Sequence, residues 1–414
     1  QQDCFEGASL LCRAGTPAYV PLRAMDYHAD PQLEDRGFFI ELEHGGFGKS
    51  TFDGPVTTFS ATPSSPTRAG PLIGEHTFEV MKEILGYSDD EISEIAHLRA
   101  EAAQLLGYDD HAAYQLETRM AKTPKAAEDF LLEVWKPGLN RAEAELAEMQ
   151  AIVQAEGHDF LIEGHDWWYY AEKLRQQKYA LNESELKPYF ELANVRQGAF
   201  YVANRLFGVT FEPLDDVPLW NPVVKPYAVY GPEREFLGVY MTDDYARESK
   251  RGGAWMSTYR SASNIRGDNI RPIVTNNLNV AVPAEGAPTL LTYDQVETLF
   301  HEFGHALHGL MTQIRYPRFS GTAGSPRDWV ELPSQFMEHY ATEPEVLAVY
   351  AKHTETGEVI PQQLVDKLRA ASTHNQGFKT TEYIAASLLD LKWHDLSPKQ
   401  AAAVEDVVKF ENDV

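Results

Sequence analysis

The chain has 414 residues and a mass of 46.6 kDa, longer than one typical domain, so two or three units are expected. Hydrophobic residues at 43% and aromatics at 11% exclude wholesale disorder, and 62 acidic against 36 basic residues leave a net charge of −26. That charge repels a phosphate backbone and an anionic bilayer, which argues against nucleic-acid and membrane partners and reads most simply as a solubility device.

No apolar run reaches the roughly 18 residues of a spanning helix, and the mean hydropathy is −0.39. Cys4 and Cys12 are too few for a disulfide framework and fit a reducing cytoplasm. The N-terminus, Gln1-Gln2-Asp3, has neither an initiator Met nor the basic and apolar regions of an export signal, which suggests a fragment.

In chain order, Phe38 to Leu42 and Val56 to Ser60 read as strands, and Thr77 to Leu85 reads as a helix ending at Gly86. The first ninety-odd residues are therefore expected to be α/β. From about Ile95 the pattern changes to amphipathic helices over Ala126 to Trp135, Arg141 to Glu156 and Tyr169 to Tyr179. Phe236 to Tyr240 and Ile273 to Val282 predict strands of a small sheet set among them. Lys399 to Val414 reads as one amphipathic element that the chain end interrupts.

Gly45-Gly46-Phe47-Gly48-Lys49-Ser50 imitates the end of a phosphate-binding loop, but the leading glycine would fall on Glu43, whose carboxylate repels phosphate. Thr51-Phe52-Asp53-Gly54-Pro55 then offers no helix start, so the segment reads as a Gly-rich turn between strands.

The strongest motif is His301-Glu302-Phe303-Gly304-His305. Thr292 with Gln295 predicts a capping box, and Val296, Leu299, Phe303, Leu307 and Leu310 form an apolar stripe, so a helix carries it. On that helix His301 and His305 lie one turn apart on one face, where two imidazoles can reach a single zinc ion. Glu302 sits beside them as the general base that takes a proton while zinc-polarised water attacks a carbonyl. The simpler alternative is a surface helix with two solvated histidines. For the third ligand, residue patterning leaves His308, Glu331 and Glu338 open. A metzincin pattern is rejected because it needs Gly at 308 and His at 311, where this chain has His308 and Met311.

Around these residues the chain resembles the thimet-oligopeptidase family of zinc peptidases, in its peptidyl-dipeptidase and oligopeptidase branch. The similarity runs through LRAEAAQLLG (98–107), RMAKTP (119–124), WYYAEK (168–173), LKPYFEL (186–192), YVANRLFG (201–208), RGGAWM (251–256), residues 291–310, PRDWVELPSQ (326–335) and NQGFKTTEYIAASLLDLKWH (375–394). The resemblance implies one zinc per chain on His301, His305 and Glu331, with Glu302 as base. It also implies a mainly α catalytic core with a small sheet over 95–414, acting on short peptides as an oligopeptidase or peptidyl-dipeptidase. The loop Ala323-Gly324-Ser325 is one residue longer than the family pattern, which could shift Glu331. The family's Tyr/His-rich segment, which supports the oxyanion, lies beyond the point equivalent to Val414, so weak turnover, or zinc and peptide binding alone, is the alternative expectation.

Residues 1–92 resemble instead the C-terminal end of the formyl-CoA and carnitine CoA-transferase family (family III), on Asp30-Pro31-Gln32-Leu33, Arg36-Gly37-Phe38-Phe39, residues 70–77 and residues 85–92. This implies a partial CoA-transferase-like α/β segment over 1–94 ahead of the peptidase part. A CoA-transferase-related module is the remaining alternative function.

Overall fold

A computed structural model describes residues 33, 39–44, 48–53, 89–215 and 217–414. The chain divides into two compact units, one of residues 1–92, 161–167 and 405–409, the other of 93–160, 168–404 and 410–414. In the first, strand β1 (Phe39–His44) pairs antiparallel with β2 (Gly48–Asp53). Lys49 and Ser50 thus lie in a strand where a phosphate-binding loop would open a helix. The strand expected over 56–60 and the helix over 77–85 lie outside the described residues.

The described chain is about half helical, with one small mixed sheet besides the β1–β2 pair. Its principal helices are α1 (Asp89–Leu105), α2 (Pro124–Ala155), α3 (Trp167–Tyr179), α4 (Leu192–Phe207), α5 (Tyr293–Leu310), α6 (Leu332–Glu338), α7 (Pro344–Tyr350) and α8 (Gln376–His394).

The expected helices over 126–135 and 141–156 are one, because α2 continues through Pro137. Proline removes the bond to the Glu133 carbonyl and normally breaks a helix. Here packing against α8 overrides that local cost. A Cβ on Gly138 would lie 3.2 Å from Thr380 Cγ2, and one on Gly377 only 2.4 Å from Ala142 N, so the two helices touch through glycines. Glu145, buried on α2, accepts the Gly377 and Phe378 N–H groups at 3.1 and 3.0 Å and caps α8. The segment Lys399 to Val414 is likewise not one element: short helices at Pro398–Ala401 and Val407–Asp413 replace it.

The sheet of the larger unit has strand order β3 (Thr210–Pro213), β4 (Lys225–Tyr230), β5 (Phe236–Tyr245), β7 (Ile273–Val280), β6 (Trp255–Arg260). Only β5 and β7 run parallel. The predicted strands over 236–240 and 273–282 are β5 and β7, whereas β3, β4 and β6 were not expected. One hydrophobic core joins the sheet to α4, α5 and α7 through Phe200, Val229, Val274, Phe300, Phe303 and Tyr350.

Inside that core, Arg196 of α4 donates to Asp244 Oδ2 of β5 at 2.7 Å and to the Tyr227 hydroxyl at 3.4 Å, while Thr242 donates to the same carboxylate at 2.9 Å. Removing one partner of such a pair leaves an uncompensated buried charge. Arg196→Met is therefore expected to lower unfolding stability by about 3 to 5 kcal/mol, read as a reduced urea midpoint, with Asp244→Asn acting in the same direction.

Candidate functional site

Helix α5 carries the His-Glu-x-x-His motif and is fixed at its start by the expected capping box: Thr292 Oγ1 accepts the Gln295 N–H at 3.2 Å, and Gln295 Oε1 accepts the Thr292 N–H at 3.0 Å. Phe300, Phe303 and Ala306 are fully buried and clamp the inward face. The opposite face turns His301 and His305 toward one another, their rings edge to face at 4.9 Å.

Helix α6 meets α5 at Gly304. A Cβ there would lie 2.4 Å from the Pro333 carbonyl oxygen and 2.6 Å from Ser334 Cα, so only glycine allows this approach. The contact brings the residue that begins α6, Glu331, to the histidines: its Oε2 lies 3.2 Å from His301 Nε2 and 3.0 Å from His305 Nε2. Fully buried Ser334 donates to that same oxygen at 2.9 Å and to the Glu331 carbonyl at 2.8 Å, holding the carboxylate in place. Glu331 thus reaches both rings.

The one group of three or more metal-type donors among the described residues is His301, His305 and Glu331, with donor atoms all within 4.8 Å of one another. Ligands at about 2.0 to 2.1 Å around a tetrahedral ion are separated from each other by about 3.3 Å. The observed distances fit those edges, so imidazole, imidazole and carboxylate form a donor set suited to zinc with a position left open.

The other two candidates take different places. Glu338 Oε1 accepts from His301 Nδ1 at 2.6 Å, on the ring nitrogen facing away from Glu331. A carboxylate there fixes the tautomer and leaves Nε2 with a free lone pair. His308 stays outside the group, its ring 5.9 Å from that of Trp329.

Glu302 is 6% exposed, and its Oε2 has no hydrogen-bond partner among the described residues. Burial pushes its carboxyl up to about 7, with the nearby Glu331 adding to the rise and His301 and the Met256 N–H opposing it. Burial likewise lowers His305, favouring the neutral ring that a metal requires. Met256 belongs to β6, an edge strand of the sheet. The approach to β6 is anchored by Lys250, whose buried ammonium donates to Asp243 Oδ1 at 3.1 Å and to the Tyr245 carbonyl at 3.0 Å. Burial alone would raise Asp243, but hydrogen bonds from Arg247, Trp220 and Lys250 hold it down to about 2. Neither Gly304, Ser334 nor Met256 was identifiable from the sequence pattern as part of the site.

The buried Glu302 has a stability consequence with a defined sign. Its carboxyl is neutral in both folded and unfolded chains below pH 4.5, and the unfolded chain ionises first between 4.5 and about 7, so stability falls as pH rises through that window. The loss reaches about 3 kcal/mol above pH 7. In zinc-free protein, Glu302→Gln is expected to match wild type at pH 4 and to exceed it in urea unfolding at pH 8.

Comparison with known proteins places the chain in a family. The model of peptidase family M3 matches residues 85–414. The chain is 42% identical over 321 residues to dipeptidyl carboxypeptidase of Escherichia coli (strain K12), covering 77% of this chain and 46% of that protein. It is 39% identical over 318 residues to oligopeptidase A of the same organism, covering 76% and 46%. For organellar oligopeptidase A, chloroplastic/mitochondrial, of Arabidopsis thaliana the figure is 36% over 311 residues, covering 73% and 39%. The chain thus spans somewhat under half the length of these relatives. The CoA-transferase resemblance of residues 1–92 is not supported, and the M3 match itself takes in the end of that segment. M3 metallopeptidases are in general zinc-dependent, and the donor set here is of a kind that could hold such an ion. On the strength of a match that covers most of its length and includes the whole His-Glu-x-x-His helix, the chain belongs to peptidase family M3.

Proposed function

We propose that this chain is a zinc-dependent peptidase acting on short peptides, as an oligopeptidase or peptidyl-dipeptidase, with residues 95–414 as its catalytic part. The observation that carries the reading is the convergence of His301 Nε2, His305 Nε2 and Glu331 Oε2 beside the buried, partly unpaired carboxylate of Glu302. In it, one zinc ion binds to those three donors. When bound, the ion supplies Lewis-acid polarisation of water and of the scissile carbonyl.

The chain's own residues supply the rest. Glu302 takes the proton from the attacking water and returns it to the leaving nitrogen, a task suited to a carboxyl raised toward neutral pH. Glu338 orients the His301 ring, and Ser334 orients Glu331. The outer edge of β6, unpaired among the described residues, offers backbone groups to an extended peptide, which would lie as an added strand past Glu302. A cytoplasmic setting is supported by the low cysteine content, and among the described residues no helix is long and apolar enough to cross a membrane.

The test pairs metal content with turnover of a short fluorogenic peptide. Wild type is expected to hold one zinc per chain, and His301→Ala to lose it. Glu302→Gln should keep zinc and lose at least 100-fold in turnover, since an amide cannot accept the proton. Zinc loss in Glu302→Gln, or unchanged zinc in His301→Ala, would overturn the assignment; zinc without turnover in wild type would leave only a binding function.

A further inference from the structure

Arginines gather on one part of this acidic chain. Residues 260–272 and 311–320 carry Arg260, Arg266, Arg271, Arg315 and Arg318 against a single carboxylate, Asp268. The fold draws the two segments together. Ser263 and Ile270 bridge antiparallel, placing Arg266 and Gly267 in the loop between them. The Asn264 N–H donates to the Arg315 carbonyl at 2.9 Å, and Arg260 Nε donates to the Arg271 carbonyl at 2.8 Å. A cavity of about 680 Å³ opens there, with Arg271, Arg315, Asn264, Asn269 and Gln313 in its wall.

The arginine–carboxylate ion pairs among the described residues belong to Arg141, Arg175, Arg196, Arg205, Arg234 and Arg247, and none of the five arginines here forms one. Clustered guanidinium groups repel one another, and among the described residues no carboxylate, Asp268 included, lies within ion-pairing distance of these five. Guanidinium forks match carboxylate geometry, so the cavity is chemically suited to acidic groups.

Its position relates it to the proposed peptidase site. From Met256, beside Glu302, β6 leads to Arg260 in four residues, about 13 Å at strand rise. Along α5 the span from Glu302 to Leu310 is about 12 Å, and Leu310 packs with Pro272 around Gly238. A peptide added antiparallel to β6, the pairing more stable per residue, runs its N-terminal side toward Arg260. At about 3.4 Å per residue, the fourth residue from the cleaved bond arrives there.

We propose that the arginine-lined cavity is a subsite for acidic side chains about four residues N-terminal to the cleaved bond. This rests on the peptidase reading, and its test separates the two. Labelled peptides carrying Asp-Glu at the fourth and fifth positions upstream, Ser-Ser at those positions, or Asp-Glu downstream instead are titrated by fluorescence anisotropy against zinc-loaded Glu302→Gln, and their hydrolysis by wild type is measured in parallel.

The upstream-acidic peptide should bind about fivefold tighter than the neutral one, the upper end of what one exposed ion pair contributes. The acidic-to-neutral ratio should fall to about one in Arg271→Ala/Arg315→Ala. It should drop below one in Arg271→Glu/Arg315→Glu, which keeps the proposal testable through charge reversal. Equal affinities in the parent, a ratio that survives both double variants, or tighter binding of the downstream-acidic peptide would overturn it. Failure of wild type to hydrolyse any of the peptides would count against the peptidase reading alone, because the binding ratios do not depend on turnover.

Discussion

The candidate site depends on the close crossing of two backbones at Gly304. Because that residue has no Cβ, Pro333 and Ser334 come within distances that any other side chain would block. Glu331 and Glu338 flank this contact, seven residues apart, and so reach opposite nitrogens of the same imidazole. The three-donor cluster is consequently a product of helix packing as much as of the His-Glu-x-x-His spacing. A larger residue at 304 would push α6 away and carry both carboxylates with it.

Burial does two opposing things around this crossing. Fully buried Phe300 and Phe303 fix the helix in the core, while low exposure at Glu302 disfavours its charged form and weakens the fold as pH rises. The same burial suits that carboxyl to the proton transfer proposed for it near neutral pH. A destabilising feature of this kind at the residue proposed as general base is expected where function and stability compete. The core nearby shows the contrasting case: Asp244 is as deeply buried, but Arg196 and Thr242 compensate it.

Much of the His-Glu-x-x-His helix was legible because its signals are local. The Thr292–Gln295 box, the apolar stripe and the one-turn histidine spacing need only helix geometry. The third donor was not legible from spacing, since Glu331 and Glu338 fall on one face of an idealised helix. Glu331 in fact precedes α6, and the choice of ring nitrogen was made by the Gly304 crossing, a contact between segments about 30 residues apart. Pro137 misled for the same reason: a local breaking signal is overridden by glycine contacts with α8, far away in sequence. Strand β4 begins Lys225-Pro226 and β3 is only four residues long, so neither presents enough alternation to be recognised. β6 is half-exposed at an edge and equally weak in pattern, although its Met256 N–H reaches Glu302.

The central claim is that two imidazoles and the Glu331 carboxylate hold one zinc ion while Glu302 does not. X-ray absorption at the zinc edge of the loaded chain tests this most directly, because imidazole multiple scattering counts the bound rings. The account predicts two rings, nitrogen and oxygen neighbours at about 2.0 to 2.2 Å, and the same spectrum in Glu302→Gln. A third ring, a sulfur neighbour, or a first shell altered by Glu302→Gln would contradict it.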